Sequence, residues 1–158
     1  MMKTERNSHL TWNANRYTEL LLEAREIYQA EVDALEKKKH VFDGMFGFGS
    51  SVRNDACNDR FDSRVNEILQ QALTDGATAE ETGDTVCCVL DQILPQQGLE
   101  GTAINLIAIQ RHCIPLVCRL TAEKAGEIAR WFEKTWKRTQ RLPVQNELLK
   151  ALKARAGK

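Results

Sequence analysis

The chain has 158 residues, of which 28% are charged, 6% are aromatic and three are proline, and it carries 22 acidic and 22 basic side chains. That length suits one domain that buries roughly two-thirds of its unfolded surface without a staple. So few aromatics and prolines argue against a sandwich or barrel, and the terminus MMKTERNSHL lacks the apolar stretch of a secretory signal.

No run approaches the ~18 apolar residues of a spanning helix, so a cytoplasmic, non-membrane protein is expected. In that compartment Cys57, Cys87, Cys88, Cys113 and Cys118 stay as thiols. The charge is unevenly spread. Residues 1–40 carry seven basic and seven acidic side chains, residues 41–100 three against eleven, and residues 101–158 twelve against four, giving 0, −8 and +8. Such polarity closes on itself in a monomer, joins neighbouring copies, or leaves the basic third facing an anion.

From about Ser8 to Lys39 a helical pattern runs without proline or glycine, with Tyr17, Leu20, Leu21, Ala24, Ile27, Tyr28 and Leu35 on one stripe. About thirty residues span ~45 Å, longer than a domain of this size is wide, so part of this helix should protrude or pack on another chain. Residues 40–53 follow as a loop rich in glycine and phenylalanine. Gly44, Gly47 and Gly49 let the chain reverse, while Phe42, Met45, Phe46 and Phe48 either cap the core or form an apolar tip that docks a partner. The glycines are not followed by Gly-Lys-Ser/Thr, and no strand precedes them, so a phosphate cradle is not supported.

A second helix is expected from about Asn54 to Leu73, its apolar face made by Cys57, Phe61, Val65, Ile68, Leu69 and Ala72. Thr78 and Glu81 have the spacing of a capping box opening a third helix that ends before Pro95. Ala103 to Leu120 is the most apolar segment and reads as the central helix, kinked or split at Pro115. Thr121 reads as the N-cap of a fifth helix to about Arg138, and Pro143 as the first turn of a sixth to about Arg155. The expectation is an all-α, single-domain bundle of about six helices, with residues 54–155 completing what the long first helix begins.

Several side chains are candidates for chemistry. Asp55, Asp59 and Asp62 make an acidic ridge on the second helix. His112, Cys113 and Cys118 are weak metal candidates, since no CxxC occurs and the two cysteines lie about 140° apart on a helix. Buried apolar thiols are the simpler assignment, and no cofactor is expected. Glu31 interrupts the first apolar stripe, and Asn105, His112 and Arg119 recur every seven residues on the fourth segment. An unpaired buried polar group costs about 1–3 kcal/mol, so a polar core network is expected, pairing Glu31 with Arg119 or Arg111. A pocket with His112 as the proton-transfer group is the alternative.

On the fifth helix Arg130, Lys134, Lys137 and Arg141 form a basic face, flanked by Trp131 and opposite Ile128, Phe132 and Trp136, which suits an anion or a single strand. Glu23 with Glu26, and Glu81 with Asp84, give the ExxE and ExxD pairs of the all-α nucleotide pyrophosphohydrolases of the MazG type. This limited resemblance implies magnesium-dependent nucleotide hydrolysis; four residues carry it and the family is not assigned. Helix-turn-helix spacing, HEXXH, GXSXG and the Glu-x-x-His pairs of di-iron bundles are absent. The sequence therefore favours a non-enzymatic interaction or self-assembly protein. The alternatives are a metal-dependent or small-ligand-binding bundle and an anion or nucleic-acid binder.

Overall fold

The structure, a computed structural model, describes residues 10–46, 55–93 and 104–157, without the side chains of 38–46, 55, 104, 105 and 140. Residues 40–46, expected to open the glycine-rich loop, are instead the last turns of the first helix, because its helical hydrogen bonding continues past Lys39; the side chains of Phe42, Met45, Phe46, Asp55 and Asn105, and Phe48 altogether, lie outside the described residues. Every described regular element is helical. They are α1 (Arg16–Phe46), α2 (Asp55–Asp75), α3 (Ala79–Cys88, continued by one π-type turn Val89–Ile93), α4 (Ile104–Ile107, continued as a 3₁₀ helix Ala108–Arg119), α5 (Ala122–Thr135) and α6 (Pro143–Arg155). The chain is the all-α, single-domain bundle that its pattern implies.

α1 starts eight residues later than the periodicity suggests, because Asn15 caps it. Asn15 Oδ1 accepts the amides of Tyr17 and Thr18, at 2.8 and 3.2 Å, and Thr18 Oγ1 accepts that of Asn15 at 2.7 Å. Leu10 to Asn15 therefore forms a non-helical strap, with Leu10 and Trp12 buried. α1 and α2 pair antiparallel. Tyr17 bonds Asp75 at 3.2 Å, Tyr28 bonds Asn58 at 2.7 Å, and the Tyr28 and Phe61 rings stack at 4.7 Å. These contacts set the start of α2 level with about Leu35. α1 continues to Phe46, another ~16 Å at the α-helical rise.

α2 ends in a left-handed glycine, Gly76, with φ +72°. The Ala77 amide reaches Ala72 O at 3.0 Å and the Gly76 amide reaches Leu73 O at 3.3 Å, the paired bonds of a Schellman stop. α3 then opens as expected: the Glu81 amide donates to Thr78 Oγ1, and Glu81 Oε1 accepts the Thr78 amide, at 3.0 and 3.1 Å.

The central helix is α3, not the segment 103–120. Every residue from Thr82 to Asp91 is buried, and this length of helix touches α1, the 3₁₀ segment and α5. Nor does Pro115 kink an α-helix, since it lies within the 3₁₀ helix. With about three residues per turn, Gln110, Cys113 and Leu116 make the buried line, and Arg111 and Cys118 face solvent. The seven-residue spacing of Asn105, His112 and Arg119, one row on an α-helix, rotates by about 120° per step on a 3₁₀ helix.

α6 packs on both the 3₁₀ helix and α5. At its start, Gln145 accepts the Leu142 amide at 3.0 Å and donates to the buried Gln110 at 3.1 Å, tying α6 to the 3₁₀ helix. α5 opens at Thr121, whose Oγ1 accepts the Lys124 amide at 3.0 Å, and it ends at Thr135, three residues before the expected Arg138. Thr78→Ala and Thr121→Ala should each lower the free energy of unfolding by about 1 kcal/mol. Urea titration of the single and double variants should find the two losses additive.

Candidate functional site

Glu31 and Arg119 do not meet. The α1–α2 register sets Arg60 across from Glu31, and Glu31 Oε2 takes its Nε and Nη2 at 3.0 and 2.6 Å. Arg119 instead donates to Ala72 O at 3.3 Å, in the last turn of α2, where helix carbonyls lack intrahelical donors. Arg111 and His112 converge on Asp62. Arg111 Nη2 reaches Oδ2 at 2.7 Å and His112 Nε2 lies 2.9 Å from Oδ1. His112 is thus oriented by a carboxylate that also holds an arginine, a junction of α2 with the 3₁₀ helix.

The metal candidates are dispersed. Asp59 is exposed, Asp62 is engaged by Arg111 and His112, Cys113 is fully buried and Cys118 is exposed. Glu23 and Glu26 are exposed on α1, Glu81 serves in the capping box, and Asp84 Oδ1 accepts the Asn13 amide at 3.0 Å. Among the described residues no three His, Cys, Asp or Glu side chains are grouped to hold a metal ion. Both adjacent cysteines are buried because α3 is enclosed all round. Burial pushes the Cys87 thiol up to about 12 and raises that of Cys113; thiolates are the reactive form, so both are inert near neutral pH.

The structure draws together residues that periodicity did not single out. Trp12 Nε1 donates to the buried Asp91 at 3.3 Å, the Asn13 amide donates to Asp84, and Lys124 Nζ donates to Thr11 O at 2.6 Å. The strap is thereby bound to α3 and α5. A cleft of about 490 Å³ lies along this junction, lined by Trp12, Glu80, Asp84, Lys124 and Glu127 among others. Lys124 also meets Glu127 at 3.4 Å, and its stem crosses α3 at Gly83, where a Cβ would stand 3.1 Å from Lys124 Cγ. Glu80 and Glu123 occupy the first turns of α3 and α5, where a negative charge complements the helix dipole. The polar groups of the cleft thus have structural partners. The sequence signal was the pair Asp84 and Asp91, two acids seven residues apart that flank the run Thr85–Leu90, apolar from Val86 on.

The basic face is real only in part. Arg130 and Lys134 are exposed on α5, but Lys137 and Arg141 lie beyond its end, and Arg141 Nε donates to Trp136 O at 2.8 Å. Trp131 is buried with Ile128, Phe132 and Trp136, so it offers no platform for a stacked base. No described carboxylate lies within ion-pair distance of Arg130, Lys134, Lys137, Arg138 or Lys150.

The chain matches no protein-family model, no curated protein and no solved structure.

Among the described residues, Asp62 is the member of the acidic third that forms ion pairs with side chains of the last third, those of Arg111 and, when protonated, His112. Arg16 approaches Asp75 and Glu81 at 4.0 Å from the first third. The remaining ion pairs of the basic third, Lys124 with Glu127 and Lys153 with Glu133, are internal to it.

Native protein treated with a thiol reagent near neutral pH should label at Cys118 alone, and all five cysteines should label after denaturation, as mass spectrometry would count. Arg60 holds the Glu31 carboxyl below its ordinary range through their hydrogen bond. A folded-state value below the unfolded one stabilises the fold above the unfolded value, and that gain is lost as pH falls through the folded one. Urea midpoints should therefore fall more steeply from neutral toward about pH 3 in wild type than in Glu31→Gln.

Proposed function

We propose that the protein is a non-enzymatic interaction protein that assembles with copies of itself through its charge-polarised surface. The observation that carries this is the open polarity. The chain separates −8 from +8 in sequence, and in the described fold the two thirds are joined by ion pairs at Asp62 alone. Exposed unpaired charge of both signs on one molecule favours association between complementary faces and steers the encounter over a Debye length of about 8–10 Å. Neither the carboxylates nor the thiols group into a metal centre among the described residues. His112 is held by Asp62, and the basic face has no exposed tryptophan beside it.

Sedimentation equilibrium of the untagged chain tests the proposal. At low ionic strength the mass should exceed that of the 17.9 kDa monomer, and it should fall toward the monomer as salt is raised. The double variant Arg130→Glu, Lys134→Glu should weaken the low-salt association without lowering thermal stability. A monomer at every salt and protein concentration would overturn the proposal.

A further inference from the structure

The cleft between the strap, α3 and α5 has the size of a small-molecule site: such pockets run from about 300 to 1,000 Å³, and this one holds about 490 Å³. Its charge is one-sided. Glu80, Asp84, Glu123 and Glu127 line it, and Lys124 is the cation among the lining residues. That lysine is already engaged, its Nζ held by Thr11 O at 2.6 Å and by Glu127 at 3.4 Å.

The other three carboxylates have acceptors to spare beside their structural roles. Asp84 is only 8% exposed, and it lines the cleft. Its Oδ1 takes the Asn13 amide, while its Oδ2 takes no hydrogen bond or ion pair from a described residue. Glu80 and Glu123 are exposed at the rim, and neither side chain bonds or pairs with a described residue. A carboxylate has about four lone-pair sites, so one backbone amide and two helix dipoles leave this set short of donors. A buried anion with an unmatched oxygen is costly, and a cation in the cleft removes that cost.

The spacing selects the cation. On each wall an exposed acid precedes a more covered one by four residues, Glu80 before Asp84 on α3 and Glu123 before Glu127 on α5. Residues four apart share a helix face and stand about 6 Å apart along the axis. Among the described residues no three such side chains converge as a metal ion requires, so one compact charge would serve only one end of the cleft. Two charges about 6 Å apart serve both. We infer that the cleft binds a linear aliphatic diamine, with one ammonium on Asp84 Oδ2 at the floor, the other between Glu80 and Glu123 at the rim, and the methylenes against Trp12. A chain of about four methylenes sets its two nitrogens about 6 Å apart when extended. Each ammonium brings three donors, and charge-assisted bonds of this kind are about twice as strong as neutral ones. Lys124 Nζ is a local precedent, an ammonium held at the same junction by a backbone carbonyl and a carboxylate. The site stands apart from the self-assembly reading, since it needs neither a second copy nor the exposed basic face.

Isothermal titration calorimetry of the full chain at low ionic strength tests the site, with putrescine as the probe. One equivalent should bind, at least tenfold more tightly than n-butylamine, which carries one charge on the same carbon chain. Asp84→Asn keeps an oxygen for the Asn13 amide and removes the charge, and it should weaken putrescine at least tenfold. The double variant Glu80→Gln, Glu123→Gln should do the same; it alters only exposed side chains, so it decides the matter if Asp84→Asn fails to fold. Putrescine should raise the melting temperature of wild type and not that of the double variant, and potassium or magnesium chloride at equal ionic strength should not reproduce the rise. Putrescine that binds no better than n-butylamine, that magnesium matches, or that binds the double variant as tightly as wild type would overturn the site.

Discussion

A helix enclosed on every side must find partners inside the protein for each polar side chain it carries, and α3 carries two aspartates. Leaving a carboxylate buried and unpaired would cost more than any single apolar contact returns. Asp84 and Asp91 lie seven residues apart on the same side of the helix, and the strap ahead of α1 supplies the Asn13 amide and the Trp12 indole to them. Trp12 is thereby drawn into the core, and Lys124 of α5 closes over the strap at Thr11. The position of the strap fixes the entry of α1, and α1 fixes α2 through the Tyr17, Tyr28 and Phe61 contacts. The polar content of one buried helix thus arranges three others.

The charges outside this core follow a different logic. Exposed ion pairs contribute little to stability, typically 0–1 kcal/mol each, and most of those here lie within one third of the chain or reach back to α1. Asp62 is the exception, a carboxylate shared by Arg111 and His112 where α2 meets the 3₁₀ helix. Cohesion is therefore left to the apolar interior, with the surface charge contributing little to it.

Helix caps and apolar faces were legible because their physics is local. The Thr78–Glu81 box, the Thr121 cap, Pro143 in the first turn of α6 and the apolar face of α2 all depend on residues within a turn or two of one another. The start of α1 was misjudged because helical periodicity continues through Thr11 and Trp12, while the cap at Asn15 depends on an asparagine that also reads as ordinary surface. The winding of segment 108–119 was hidden for a related reason: over a turn or two a three-residue period and a 3.6-residue period diverge little, until the line of Gln110, Cys113 and Leu116 is seen buried in the fold. Glu31 was expected in a buried network with Arg119 or Arg111, but it is half-buried at the edge of α1 and α2 and pairs with Arg60. That partner follows from the register of α1 on α2, which no local pattern states. Asp84 was noted only as half of an ExxD pair with Glu81, and Asp91 was passed over, because their partners come from residues about seventy to eighty positions earlier.

Those distant partners bear on how the chain folds. Helical bundles usually fold fast because most of their contacts are local, and the α1–α2 hairpin with its Schellman stop at Gly76 is of that kind. The strap is not. Its bonds join residues 71, 79 and 113 positions apart, so closing it requires large loops to lose their freedom before any of these contacts form. These separations predict an order of assembly from hairpin to strap, with the first described residues of the chain among the last to settle.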